Sequence, residues 1–279
     1  MEGIIIRQIS NDYTVKSGNN TYICKPRGKF RKTKVTPLVG DNVVFDENEC
    51  YLLDVLPRRN FLVRPSIANI DQAFIMTSVK TPNFSTNLLD KFITIINYNN
   101  IIPVICITKM DLLDIEEQEV INEYIKYYEK LGITVVLNDD KWKLKSLIKG
   151  KVTVFTGQTG SGKSTLLNMI DKSLNLKTGE ISKALGRGKH TTRHTELFSV
   201  MGGFVVDTPG FSSLELVNMK PIDIRDNMPP MFDYLDRCKY QDCMHLNEDK
   251  CYVKEQIKKD DILNERYENY KKFLTKKEK

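Results

Sequence analysis

Histidine is scarce in this chain, with three among 279 residues, so any imidazole chemistry is confined to His190, His194 and His245. Long hydrophobic runs are missing as well. Ile4-Ile5-Ile6 is too short to be the apolar segment of a secretory leader. No stretch approaches the roughly 20 apolar residues that a membrane-spanning helix needs. Internal repeats and low-complexity tracts are absent, which sets aside solenoids and disordered linkers. Six cysteines without a secretory signal point to reduced thiols and a cytoplasmic location rather than a disulfide framework. Charge of one sign does not dominate: 42 Lys and Arg against 36 Asp and Glu leave a net +6, a mild pointer to an anionic partner. The length suffices for more than one domain.

What is present is a phosphate-binding loop. Gly157-Gln158-Thr159-Gly160-Ser161-Gly162-Lys163-Ser164 has the spacing G-x-x-x-x-G-K-S. An apolar run over 151–156 reads as a buried strand, and 163–172 reads as a helix, which is the context the motif requires. Glycine lets the backbone approach phosphate oxygens, and the N–H groups at a helix start cradle the anion. Lys163 is expected to reach the β and γ phosphates and Ser164 to ligate Mg²⁺. Gln158, Thr159, Ser161 and Thr165 complete the expected nucleotide contacts. A glycine-rich turn before an ordinary helix is the plainer alternative.

About fifty residues earlier, the run 101–107 reads as a parallel strand buried on both faces. Thr108-Lys109-Met110-Asp111 follows at its C-terminal end, where ligands bind in open α/β sheets. A carboxylate at Asp111 can accept from guanine N1–H and N2–H₂ together. Adenine lacks that pair of donors, so ATP would leave a buried charge unpaired. Alone, this motif could merely cap a helix. GTPases commonly have Asn where Thr108 stands, which leaves the side-chain bracing there open. The base signature normally follows the phosphate loop; here it precedes it, as if a GTP-binding domain had been cut and rejoined.

Gly203-Phe204-Val205-Val206-Asp207-Thr208-Pro209-Gly210 is a further strand-to-loop transition, with Asp207 expected on Mg²⁺ through water and the Gly210 N–H expected to sense the γ-phosphate. Between the two lies Gly186-Arg187-Gly188-Lys189-His190-Thr191-Thr192-Arg193-His194, polar and aperiodic, hence a loop. Thr191 or Thr192 can complete the Mg²⁺ shell; Thr192 is preferred. Many GTPases orient the attacking water with Gln directly after D-x-x-G, but Phe211 stands there and cannot polarise water. His190 or His194 could contact the water instead. Arg187, Lys189 and Arg193 could neutralise γ-phosphate charge or bind RNA phosphate.

The segments fit an α/β architecture: strands 71–79, 101–107, 133–138, 151–156, 195–200 and 203–207, helices 86–99, 115–131, 141–149 and 163–172. The strand over 133–138 should end in a second base-contacting loop. GTPases usually place Ser-Ala there; this chain has Asn138-Asp139. Residues 1–65 read as a five-stranded OB-type barrel, with runs at 3–9, 13–16, 21–24, 35–46 and 51–56. Lys25, Arg27, Lys29, Arg31, Lys32 and Lys34 form an acid-free stretch with Phe30 interleaved, the footprint of an RNA-contacting loop or of a solvated charged loop. Cys238, Cys243, His245 and Cys251 follow the spacing C-x₄-C-x-H-x₅-C, a closed tetrahedral set for structural Zn²⁺. A disulfide would leave an odd thiol. One helix, roughly 253–274, should follow. The expected domains are 1–65, 66–217 and 218–279.

With these residues the chain resembles the circularly permuted small-ribosomal-subunit biogenesis GTPases of the RsgA (YjeQ/YloQ) family, over nearly its whole length. The resemblance implies a permuted P-loop GTPase domain between an OB-type barrel and a zinc module. It implies a cytoplasmic GTPase that docks on the 30S subunit late in maturation, is stimulated by that subunit and grips it through the OB and zinc modules. Slow turnover alone is expected from Phe211 and the threonine loop, and a monomer with 16S rRNA as a partner is expected. It also implies that a histidine of the threonine loop, His190 or His194, acts in hydrolysis. Three other readings compete: an RNA-binding module with incidental hydrolysis, an ATPase, and a zinc-dependent hydrolase.

Overall fold

Buried apolar residues fall at alternate positions of the second and fourth strands, Tyr13 and Val15, then Val43 and Phe45, and pairing of the fourth strand back onto the first closes a barrel. In a computed structural model the described residues are 1–30, 35–63, 66–174, 195–206, 216 and 219–275. Strands β1 (Glu2–Ile9), β2 (Asp12–Ser17), β3 (Asn20–Pro26), β4 (Asn42–Asp46) and β5 (Tyr51–Val55) form a closed barrel in the order β1-β2-β3-β5-β4. β4 pairs back onto β1, and β3 with β5 is the parallel pair. This is the OB-type arrangement expected. Ile5, Val15, Val43, Phe45 and Leu52 fill it, all fully buried.

The run expected as a strand over 35–46 pairs as a strand only from Asn42. Asp41 explains the shortening. Its fully buried carboxylate accepts from the Leu38 backbone N–H at 2.7 Å and from Arg58 Nε and Nη2 at 2.7 and 2.8 Å. A carboxylate so placed holds a turn over 38–41, beside which Gly40 N–H donates to Ile5 O at 2.8 Å and Ile5 N–H donates to Asp41 O at 2.9 Å. A short hairpin follows, β6 (Phe61–Val63) with β7 (Ser66–Ala68).

The remaining strands follow the order β10-β9-β8-β11-β13-β12, with β8 Gln72–Ser78, β9 Ile102–Thr108, β10 Thr134–Leu137, β11 Val152–Gly157, β12 Leu197–Val200 and β13 Gly203–Val206. β9 with β10 and β11 with β13 are parallel, whereas β12 is antiparallel to β13. The chain divides into two units. One comprises Met1–Phe74, Asp140–Thr156 and Gly162–Ser212; the other comprises Ile75–Asp139, Gly157–Ser161 and Ser213–Lys279. β8 runs from the first into the second. Every β8 residue is buried, as expected of a strand covered on both faces.

Helices α1 (Thr86–Tyr98), α2 (Ile115–Lys130), α3 (Lys141–Ile148) and α4 (Lys163–Ile170) fall on the four helical segments read from the sequence, and α5 (Pro221–Asn227) is additional. The single helix expected over 253–274 is instead two, α6 (Tyr252–Gln256) and α7 (Asp261–Thr275). Asp260 accounts for the break: its side chain accepts the Leu263 N–H at 2.9 Å and so caps a new helix start. α7 is held to α1 by a buried cluster. Arg266 Nε donates to Asp90 Oδ1 at 2.7 Å, Asn269 donates to Asp90 Oδ2 at 2.9 Å, and Thr86 donates to Glu265 at 2.6 Å. Both members of the Asp90–Arg266 pair are fully buried.

Candidate nucleotide site and metal centre

The phosphate loop leaves β11 at Gly157 and enters α4 at Lys163. Gly157 has φ +133°, a conformation essentially reserved for glycine. A Cβ there would lie 2.3 Å from the Met76 carbonyl oxygen. The loop therefore presses against β8 with no room for a side chain. Gly160 and Gly162 also have positive φ, +84° and +88°, and Gly162 is the residue from which α4 starts. Lys163 and Ser164 occupy the first turn, half-buried. A cavity lined by Met76, Leu88, Leu89 and Phe92 is also lined by Gln158 of the loop.

The base signature lies against the same loop. Thr108, 3% exposed, ends β9, and its hydroxyl donates to the Ser161 carbonyl at 3.0 Å. The bracing that Asn commonly supplies in GTPases is thus made here by a threonine hydroxyl. Lys109 takes a left-handed conformation, φ 65°, and its ammonium donates to the Thr81 carbonyl. Asp111 follows in a single 3₁₀ turn, Met110–Leu112, and is exposed. Asn138 and Asp139 follow β10, and the Asn138 N–H donates to Ile107 O at 2.9 Å. Thr191, Thr192, His190, His194, Asp207, Gly210 and Phe211 lie outside the described residues.

Cys238, Cys243, His245 and Cys251 place their ligand atoms within 4.8 Å of one another. His245 Nδ1 lies 3.6, 3.4 and 3.3 Å from the sulfurs of Cys238, Cys243 and Cys251. A tetrahedral Zn²⁺ with Zn–N near 2.0 Å and Zn–S near 2.3 Å puts such atoms about 3.5 Å apart. The donor set fits. The other ring nitrogen, Nε2, is 2.8 Å from the Met231 carbonyl, which fixes the tautomer that leaves Nδ1 free to bind. Burial lowers the His245 pKa, favouring that neutral ring. Burial pushes the Cys243 thiol up to about 12 and raises Cys251, so both hold protons until a cation displaces them. Tyr267 and Tyr270 donate to the carbonyls of His245 and Met244 at 2.6 and 2.9 Å, fastening the ligand loop to α7. Nothing in the cysteine spacing points to Met231 or to these tyrosines.

In the barrel, the described part of the basic stretch differs from expectation at one residue. Phe30 is 6% exposed and packs inward, so it is not a stacking surface. Burying its ring is worth about 1.5–3 kcal/mol over leaving it in water. Arg27 pairs with Glu49 and Lys29 with Asp54, each at 3.2 Å. Arg31, Lys32 and Lys34 lie outside the described residues. Cys24 and Cys106 are buried free thiols, pushed by burial to about 11 and about 12.

A family model described as RsgA GTPase matches residues 55–217, and one described as RsgA N-terminal domain matches 2–50. The Small ribosomal subunit biogenesis GTPase RsgA 2 of Oceanobacillus iheyensis is 47% identical, over 98% of this chain and 96% of the relative. The corresponding Enterococcus faecalis protein is 44% identical, over 98% and 94%. Among solved structures, the circularly permuted GTPase YloQ superposes with a TM-score of 0.83 at 38% identity, covering 98% of this chain and 93% of the other. YjeQ from Thermotoga maritima gives 0.84 at 34%, covering 99% of each.

Proposed function

Because this chain belongs to the RsgA family of GTPases, we propose that it binds GTP between its transposed motifs and hydrolyses it while docked on the 30S subunit. The chain is a GTP hydrolase acting in small-subunit maturation, with a ribosomal partner. The observation that carries the site assignment is the Thr108 hydroxyl on the Ser161 carbonyl, which ties the base signature to the phosphate loop.

In this reading Asp111 accepts from the guanine edge and Lys109 stiffens the turn that presents it. Loop N–H groups from 157 to 165 bind the phosphates, and Lys163 neutralises charge developing on the γ-phosphate. Mg²⁺ would be held by Ser164 with Thr192 and Asp207 and would supply further charge neutralisation. The Gly210 N–H contacts the γ-phosphate. With Phe211 unable to orient water, His190 or His194 takes that role, so turnover alone is slow. The Cys238/Cys243/His245/Cys251 set holds one structural Zn²⁺, and the protein works as a cytoplasmic monomer. The barrel (1–65) and zinc module (218–279) flank the GTPase domain (66–217) and grip 16S rRNA.

Steady-state GTP turnover with and without purified 30S subunits tests this. Strong stimulation by 30S, and none by 50S, is expected. Rapid turnover that no subunit changes would contradict it.

A further inference from the structure

α3 carries a feature that neither the phosphate loop nor the zinc module explains. Its sequence, Lys141-Trp142-Lys143-Leu144-Lys145-Ser146-Leu147-Ile148, contains no acid, and Lys149 and Lys151 follow. Leu144 and Ile148 turn into the core, both fully buried. At 3.6 residues per turn Trp142 and Ser146 lie opposite the face of Leu144 and Ile148, with Lys141, Lys145 and Lys149 along the flank beside them. All five are exposed, and Trp142 is the most exposed large hydrophobic side chain described, at 81%. Among the described residues, Lys141, Lys145 and Lys149 make no ion pair.

An indole left in water beside three unpaired ammonium groups suits one class of partner. We propose that this face is a second RNA-contacting surface, separate from the barrel, which binds single-stranded RNA by stacking one unpaired base on Trp142 while Lys141, Lys145 and Lys149 take the flanking phosphates. Stacking needs only a flat π face, and lysines along the flank beside it track the backbone. Lysine is depleted from protein–protein interfaces, which argues against a protein partner. A membrane surface would require the apolar face of α3, and Leu144 and Ile148 are already committed to the core. As a contact on the ribosome this surface rests on the ribosomal reading; as an RNA-binding face it is tested without it.

Trp142 is the chain's single tryptophan, so its fluorescence reports this face alone. The full chain is titrated with a single-stranded RNA of about 12 nucleotides, longer than the one stacked base and its flanking phosphates require. Quenching of Trp142 is expected. Trp142→Ala should weaken binding to the same labelled RNA about 5- to 140-fold, which is ~1–3 kcal/mol per stacked base at about 1.4 kcal/mol per decade. Trp142→Phe should keep most of the affinity. Reversing Lys141, Lys145 and Lys149 to Glu should weaken the quenching and reduce the salt slope by about 0.7 for each phosphate no longer neutralised. Unchanged emission at saturating RNA, or a Trp142→Ala chain that binds RNA as well as wild type, overturns the proposal. So does quenching by ribosomal proteins but not by RNA. 30S co-sedimentation of wild type, run in parallel, fails only if the ribosomal reading itself fails.

Discussion

Replacing Thr108 by Val removes one donor and changes little else. Valine matches threonine in shape and suits a strand end. What disappears is the 3.0 Å hydrogen bond to the Ser161 carbonyl, at a pair of residues 3% and 1% exposed. Water cannot readily replace the missing donor, so the orphaned acceptor costs about 1–3 kcal/mol. If that cost falls on the loop shape that binds phosphate, apparent GDP affinity drops by about 5- to 140-fold, since affinity scales with the population of the competent form. Thr108→Ser keeps the hydroxyl and should stay within about threefold of wild type. Calorimetric titration with Mg-GDP measures all three proteins, and thermal unfolding checks that the variants are folded. A folded Thr108→Val chain that binds GDP like wild type would refute the claim that this hydrogen bond organises the site.

Three further outcomes are expected from the geometry. Gly157→Ala puts a Cβ 2.3 Å from Met76 O at φ +133°, so backbone strain of about 1–3 kcal/mol adds to a direct overlap; nucleotide binding should be lost in equilibrium dialysis, and retained affinity would show that the loop tolerates a side chain there. Asp90→Ala leaves Arg266 buried without its counter-charge, a destabilisation of about 3–5 kcal/mol; calorimetry should show a melting temperature lower by roughly 6–20 °C, and a change under 2 °C, about 1 kcal/mol at most, would contradict it. Zinc affinity should climb with pH, because the ion must displace protons from Cys243, at about 12, and Cys251, while His245 is already neutral near pH 7. Chelator competition should show at least a roughly tenfold gain from pH 6.5 to 8, and a flat profile would mean the thiols are not the ligands.

The sequence is most legible where local pattern and chemistry coincide. The apolar run ending at Thr108 and the glycine spacing from Gly157 suffice to locate β9, β11 and the loop, because buried parallel strands and glycine turns leave strong local signals. The cysteine spacing likewise marks the four residues whose ligand atoms cluster. Contacts between distant segments leave no such trace. Asp90 and Arg266 are 176 residues apart, and nothing in either neighbourhood marks them as partners. The Met231 carbonyl that orients His245 is a backbone group, invisible to residue type. Phe30 departs from its pattern because its cationic neighbours suggest a surface role, whereas its own ring follows hydrophobic burial. The break between α6 and α7 turns on one capping carboxylate, Asp260, inside a helical-looking stretch.

The most direct test of a shared guanine and phosphate pocket is base preference in an Asp111→Asn chain, measured as affinity for GTP against xanthosine triphosphate. Wild type should prefer GTP, the variant should prefer the xanthine nucleotide, and Lys163→Ala should weaken both. An Asp111→Asn chain that still favours GTP would place guanine recognition elsewhere and contradict the account.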